Sequence, residues 1–244
     1  RAGHATDRDR DHPRARRGDS LSPPFERVLV ANRGEIACRI IRTLHELGCE
    51  AVAVYSDADR GAAHVARADH AVRLGPAPAS ESYLRVDRIL QAAVDVGAGA
   101  VHPGYGVLSE RADFAEAAEA AGVAFVGPTP TQLRDFGEKH RARELARAAG
   151  VALLPGTGLL ADADAALAAA ASIGYPVMLK SSAGGGGIGL RVCASPDELV
   201  VAFEQVTHQA RTNFGSADVF LERFVARARH VEVQVFGDGQ GGAL

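Results

Sequence analysis

A run of four glycines, Ala183-Gly-Gly-Gly-Gly187, followed by Ile188 and Gly189, is well suited to hold an anion. Glycines let backbone N–H groups turn toward a phosphate, and their mobility suits a lid that closes over one. Lys180, three residues before the run, supplies a point charge for phosphate oxygens. The pattern is not a P-loop: GxxxxGK[ST] is missing, and a strand follows where a helix is needed. Nor is it GxGxxG at a strand–helix junction. The competing reading is a flexible hairpin, although four glycines in a row weaken a strand badly.

Other residues of chemical interest are less distinctive. Asn32-Arg-Gly-Glu35 occupies the turn where a dinucleotide-binding protein holds pyrophosphate, but it brings only one glycine. Asp57 and Asp59 follow the second strand and could mimic a ribose-binding acid, whereas such aspartates are more often turn formers or helix caps. His102-Pro-Gly-Tyr-Gly106 ends a strand and precedes a helix, where parallel sheets place functional loops. Lys139 lies on a helix and reads, on its own, as a surface lysine. His230, Glu232 and Gln234 share one face of an alternating segment, and a solvated sheet surface explains them equally well.

The elements that must position these residues alternate regularly. Short apolar runs at 28–30, 51–55, 71–74, up to 102, and 124–126 read as strands. Between them, residues 35–47, 86–96 and 110–121 carry helical periodicity, with Ile36, Ile40, Ile41, Leu44 and Leu47 on one stripe and Gly48 as a stop. Such alternation implies an α/β fold with a parallel sheet and helices on both faces. Gly127-Pro-Thr-Pro130 closes this unit. Beyond it the sequence predicts helices near 138–149, 162–173 and 196–209, and strands at 177–180, 190–193, 219–222 and 229–236. A turn at 237–241 follows, an α+β arrangement. The expected division is a tail at 1–24, one domain over 25–137 and a second over 138–244.

Composition narrows the classes. The 244 residues are 47% hydrophobic and 23% charged with a net charge of −3, which gives no basis for a nucleic-acid or anionic-membrane surface. No apolar run approaches the ~18 residues of a membrane span. Cys38, Cys49 and Cys193 form no CxxC pair and read as reduced core residues of a cytoplasmic protein. Residues 1–24 hold six arginines, four aspartates and three prolines, and are expected to be disordered. Met178 is the only methionine, and the last strand has no return strand, so the sequence reads as a piece of a longer chain.

Taken together, several segments resemble biotin carboxylases. They are Ala31-Asn-Arg-Gly-Glu-Ile-Ala37, Leu74-Gly-Pro-Ala-Pro78 with Ser82-Tyr83-Leu84, and His102-Pro-Gly-Tyr-Gly-Val-Leu-Ser-Glu110, where the family usually has Phe in place of Val107. The loop after Lys180 and Arg229-His-Val-Glu-Val-Gln234 also fit, and the resemblance runs from Phe25 to Leu244. It implies a Rossmann-like preATP-grasp domain followed by a truncated ATP-grasp domain, with a lid over about 152–224. The implied activity is ATP-dependent carboxylation of biotin on a carrier domain, with bicarbonate as carbon source and Mg2+ required. Lys139 and Lys180 would contact ATP phosphates, and Gly184, Gly185, Gly186 and Gly187 would cover them. Glu222, Arg223, Phe224 and Val225 would form the hinge against adenine, and His230 would reach the nucleotide.

Family metal ligands, bicarbonate ligands and general base are expected past Leu244, so the chain alone is expected to be inactive. Carrier and carboxyltransferase domains are the implied partners, and a homodimer is compatible with the resemblance. Leu154-Pro-Gly-Thr-Gly-Leu-Leu160, Ile188, and Asn213-Phe-Gly215 before Val219 resemble the urea carboxylase branch; acyl-CoA and pyruvate carboxylases usually carry a basic residue at the position of Ile188. Those carboxylases, a non-catalytic nucleotide-binding or assembly module, and another ATP-grasp ligase remain the alternatives.

Overall fold

In the computed structural model of the chain, the described residues are 23–183, 189–239 and 241–243. The expectations for the tail and for Gly184 to Gly187 therefore lie outside them, apart from Pro23 and Pro24. Two compact units divide between Pro130 and Thr131.

The N-terminal unit is built on a five-stranded sheet. Its elements are β1 (Arg27–Val30), α1 (Gly34–Glu46), β2 (Glu50–Ser56), α2 (Ala63–Arg67), β3 (His70–Gly75), α3 (Val86–Asp95), β4 (Ala100–His102), α4 (Ala112–Ala120) and β5 (Ala124–Phe125). Every strand pair is parallel and the order is β3-β2-β1-β4-β5, the order of a Rossmann half. Strand β1 is central, so both of its faces must be covered, and from Val28 to Val30 it is continuously apolar and buried for that reason. Val28, Val30, Ala51 and Ala53 meet Ile40, Ile41 and Leu44 of α1. Leu29, Val52, Val54 and Val101 point the other way and pack with Ile89, Ala92 and Ala93 of α3 and Phe114 and Ala118 of α4. The expected helices on both faces follow directly from this alternation.

Polar residues at the carboxyl ends of these strands are used to bind one another. Asn32 donates its side-chain amide to Pro103 O at 2.7 Å and Tyr105 O at 2.8 Å, tying the loop after β1 to the loop after β4. Asp59 takes two bonds from Arg33 and one from the Tyr83 hydroxyl at 2.8 Å, while Asp57 takes two from Arg73. Both aspartates thus serve as loop ties, the structural member of the pair of readings given above. Among the described residues, the pyrophosphate turn of a dinucleotide fold is replaced by this bonded loop pair.

The C-terminal unit holds α5 (Pro130–Gly137, its first residue at the boundary), α6 (Lys139–Ala148), α7 (Ala163–Ile173), β6 (Val177–Ser181), β7 (Leu190–Cys193), α8 (Pro196–Phe214) and β8 (Val219–Arg223). Its sheet is antiparallel, in the order β7-β6-β8. Val177, Leu179, Val219 and Leu221 face a core with Ala166 and Ala170 of α7 and Leu199, Ala202 and Val206 of α8. Ser195 caps α8 by accepting from Glu198 N, and Gly215 ends it in the left-handed region at φ 74.

Four expectations need correction. Helices α2 and α5 have no counterpart among the expected elements; Pro130 begins α5, because proline suits a first helical turn where its missing N–H is not needed. Helix α8 runs on to Phe214 rather than stopping near 209, since its stop signal is Gly215. Residues 229–236 form no strand: alternation alone makes no strand without a neighbour, and among the described residues none pairs with it. Val231 and Val233 stand 76% and 81% exposed, so the segment has no buried face. The turn beyond does close, with Asp238 N bonded to Gly242 O at 3.1 Å and a Gly237–Ala243 bridge.

The Asp59 tie gives the N-terminal unit an acid-sensitive contribution. Bonds from Arg33 hold the carboxyl at about 2, below its ordinary 3.8. A depressed folded-state value stabilises the fold above pH ~4, and that stabilisation is lost as pH falls toward 2. Because Arg33 is half exposed, screening leaves roughly 1 kcal/mol. Denaturant midpoints for Asp59→Asn and wild type should therefore differ at pH 5 and by clearly less at pH 2, where the folded-state carboxyl is half protonated; an equal gap at both would contradict this.

Candidate functional site

The site in the C-terminal unit begins with strand register. Along β6 the side chains alternate, so Val177, Leu179 and Ser181 enter the core while Met178 and Lys180 point to the opposite face. Strand β8 pairs with Met178 opposite Glu222 and Lys180 opposite Phe220. Lys180 and Glu222 are thus diagonal neighbours on one face, within reach of long side chains. The Lys180 ammonium donates to Glu222 Oε2.

A second cation reaches the same carboxylate. Arg143 of α6 donates through Nη1 to Glu222 Oε1 and through Nη2 to Leu154 O at 2.9 Å. Its guanidinium lies 6.0 Å from the centroid of the Phe220 ring. Arg143, Glu222 and Lys180 are 11%, 12% and 24% exposed, so this is a desolvated cluster of two cations on one carboxylate.

Lys139 is brought to the cluster by the base of the glycine loop. Lys139 N donates to Ser182 O at 3.2 Å, His140 Nδ1 lies 2.5 Å from Ser182 Oγ, and Ser182 N donates to Asp218 O at 2.8 Å. The start of α6 is thereby fastened to the end of β6. Burial, and then the charge of Lys180, push the Lys139 ammonium below the usual lysine range. Lysines that sense each other's charge in a partly dry place favour a polyanion between them. On the far side of the loop, Ser181 N donates to Gly189 O at 2.8 Å. Gly189 adopts φ +74, and an added Cβ would meet Ser181 Cβ at 2.8 Å, so this closing position needs glycine.

Of the sequence candidates, Lys139, Lys180 and Glu222 come together. Arg223 and Phe224 continue β8 with their N–H groups on Pro155 O at 2.8 Å and Pro176 O at 3.0 Å, and Val225 is exposed. His230 stays apart: its described partner is Glu232 at 2.8 Å, on the exposed segment that forms no strand. Sequence reasoning missed Arg143, His140 and Ser182. A signal was available for the first, since Lys139 and Arg143 are i,i+4 on one helix face. Among the described residues no group of three or more His, Cys, Asp or Glu converges, so we assign magnesium no ligands here.

One side of the cluster is set by the 154–160 segment, which runs along the free edge of β8. Thr157 N donates to Leu221 O at 2.9 Å and Leu160 N to Val219 O at 2.9 Å. Gly156 bridges to Glu222, and a Cβ there would meet Arg143 Nη2 and Leu221 O, each at 2.7 Å. Gly156→Ala should therefore push the segment off β8, costing about 1–3 kcal/mol and speeding hydrogen exchange at the Thr157 and Arg223 amides. Gly158, with nothing within 4 Å of its added Cβ, is the control. Its alanine variant should stay within ~0.5 kcal/mol of wild type. Equal effects of the two substitutions would refute the packing argument.

Comparison with known proteins gives this geometry a family. Residues 24–133 match the family "Biotin carboxylase, N-terminal domain", and residues 138–244 match "Carbamoyl-phosphate synthase L chain, ATP binding domain". The urea amidolyase of Lachancea kluyveri is 53% identical over 224 residues, which cover 92% of this chain and 12% of the relative. The mitochondrial methylcrotonoyl-CoA carboxylase subunit alpha of Oryza sativa subsp. japonica is 50% identical over 90% of this chain and 30% of its own length. Among solved structures, the biotin carboxylase domain dimer of Hydrogenobacter thermophilus 2-oxoglutarate carboxylase, in complex with MgADP, ADP and bicarbonate, superposes with a TM-score of 0.80 at 45% identity. That match covers 83% of this chain and 45% of the other. The matched residues span less than half the length of each of these proteins, and this chain belongs to the biotin carboxylase family of ATP-grasp, ATP-dependent ligases.

Proposed function

We propose that the C-terminal unit binds ATP for the carboxylation of biotin carried on a partner domain, with bicarbonate as the carbon source. The observation that carries this reading is the pair Lys139 and Lys180, held beside each other at the base of a glycine loop by the Ser182 bonds. In this reading both lysines receive phosphate oxygens, Gly184 to Gly187 fold over them, and Glu222 to Val225 border the adenine. His230 reaches the nucleotide only if the exposed 229–236 segment is drawn against it.

Phosphoryl transfer depends chiefly on positioning and charge stabilisation. A bicarbonate oxygen attacks the γ-phosphorus, ADP leaves, and the carboxyphosphate so formed breaks down to CO2 and phosphate beside the N1′ nitrogen of biotin. The lysines' part is to hold the phosphates and offset their charge. Magnesium, when bound, supplies further charge neutralisation at the phosphates.

For the final acceptor we propose urea, on the Leu154–Leu160 segment, Ile188 and Asn213-Phe-Gly215. The urea amidolyase relative supports this, and the methylcrotonoyl-CoA carboxylase relative supports an acyl-CoA acceptor as the second reading. Carrier and carboxyltransferase domains would be the partners, and the dimeric relative supports a homodimer. We place the protein in the cytoplasm on its three free cysteines; among the described residues no helix is long and apolar enough to cross a membrane.

Hydrogen bonds to charged groups contribute roughly 1.5–3 kcal/mol each, so Lys180→Ala should weaken ATP binding by about tenfold to a hundredfold. Replacing Gly185 and Gly186 by alanine in the complete enzyme should lower turnover more than affinity, because lid closure is restricted while the adenine contacts remain. Titration of ATP and bicarbonate-dependent ATP hydrolysis read the two effects, and wild-type values in both variants would sink the phosphate assignment. Urea-dependent, acyl-CoA-independent turnover is expected of the complete enzyme; the reverse would overturn the acceptor.

A further inference from the structure

We propose that Arg143 is a positioning residue that frees Lys180 for the nucleotide by keeping Glu222 neutralised when Lys180 leaves it. The inference deepens the nucleotide reading above and rests on it. Glu222 offers one oxygen to each of two cations: Oε2 to Lys180 and Oε1 to Arg143. If Lys180 turns to a phosphate, Glu222 loses one partner and keeps the other. Without Arg143 the same movement would strand a carboxylate that is only 12% exposed, and an unpaired buried charge is strongly unfavourable. ATP would then compete against an ion pair that has no substitute.

The two cations are held differently, as this division of labour requires. Arg143 spans two acceptors, Glu222 and Leu154 O, with its guanidinium beside Phe220 and the backbone of Gly156 leaving it room. Its planar fork is preorganised for such a double contact. Lys180, on a flexible stem at the end of β6 and next to the glycine loop, has the Glu222 carboxylate as its described partner. Arg143 therefore stays and Lys180 moves. Its place on α6, with both ends of the fork on Glu222 and Leu154 O, makes Arg143 an aid to binding that acts through Glu222, with no contact to phosphate of its own.

The test is a double-mutant cycle on the full 244-residue chain, read by calorimetric titration of ATP, with thermal melting to show that each variant folds. Arg143→Met should weaken ATP by about tenfold or more. Adding Glu222→Gln should remove that effect, bringing the double variant to within about threefold of Glu222→Gln alone, since a neutral amide leaves nothing to compensate. Arg143→Lys keeps the charge but loses the fork; it should hold ATP affinity within about threefold of wild type while melting lower. If Arg143→Met does not fold, Arg143→Gln, which still hydrogen-bonds, enters the cycle in its place. An equal loss of affinity in the wild-type and Glu222→Gln backgrounds would make Arg143 a direct phosphate ligand or a structural residue and overturn the proposal. Wild-type affinity in Arg143→Met would overturn it too. Failure of the wild-type chain to bind ATP would instead refute the nucleotide site itself, and this inference with it.

Discussion

The antiparallel register between β6 and β8 is the constraint on which the site depends. It sets Lys180 opposite Phe220 and Met178 opposite Glu222, so one face carries the lysine and the carboxylate while the other buries Val177, Leu179 and Leu221. A slip of one residue would send Lys180 into the core and bring Leu179 out. The hydrophobic side of the sheet thus fixes the polar side: burying these aliphatic residues against α7 and α8 is what places the charges. The bond from Lys139 N to Ser182 O extends this control to α6, and through it to Arg143.

The N-terminal unit shows the opposite use of similar parts. Its parallel sheet has the strand order of a dinucleotide-binding half, and polar residues gather where such folds take ligands. Yet Asn32 holds the β4 loop, Asp59 holds Arg33 and Tyr83, and Asp57 holds Arg73. An added Cβ at Gly104 would meet Asn32 Nδ2 at 2.9 Å, so the two loops sit too close to admit even a methyl group there. Groups that could have bound a ribose or a pyrophosphate are spent on loop geometry, leaving this unit the part of a scaffold.

How much of this was legible in the sequence varied with the range of the interaction. Local signals carried the N-terminal sheet: the apolar run at β1 and the Ile40, Ile41, Leu44 stripe closed by Gly48 state their own burial. The phosphate role proposed for Lys180 was suggested by its neighbours, because the glycine run lies beside it in the chain. The tie of Arg143 to Glu222 was not: the i,i+4 spacing from Lys139 marks the helix face, but Glu222 is 79 residues away and only the fold brings the two together. Residues 229–236 mark the reverse error. Valine alternation announces the ability to pair, but pairing is a property of two strands, and the described residues offer no second one. Pro130 misled through its reputation as a terminator, although proline opens a helix as readily as it ends one.

The charge cluster also links stability to function. Two cations share one carboxylate in a largely dry place, and Lys139 is close enough for the charge of Lys180 to lower its proton affinity. Positive charge gathered in low dielectric is unfavourable for the empty fold, and it persists because the surrounding sheet and the 154–160 segment over-determine its geometry. In the proposed nucleotide reading a polyanion reverses that balance by adding negative charge, so the part of the fold that resists formation in the empty protein gains most when occupied. Replacing the cluster by apolar residues of similar volume would relieve the resistance, as it does for many buried ion pairs. In the same proposed reading it would also remove the affinity, because the cost of gathered positive charge and the attraction for phosphate are one electrostatic quantity seen in two states of the site.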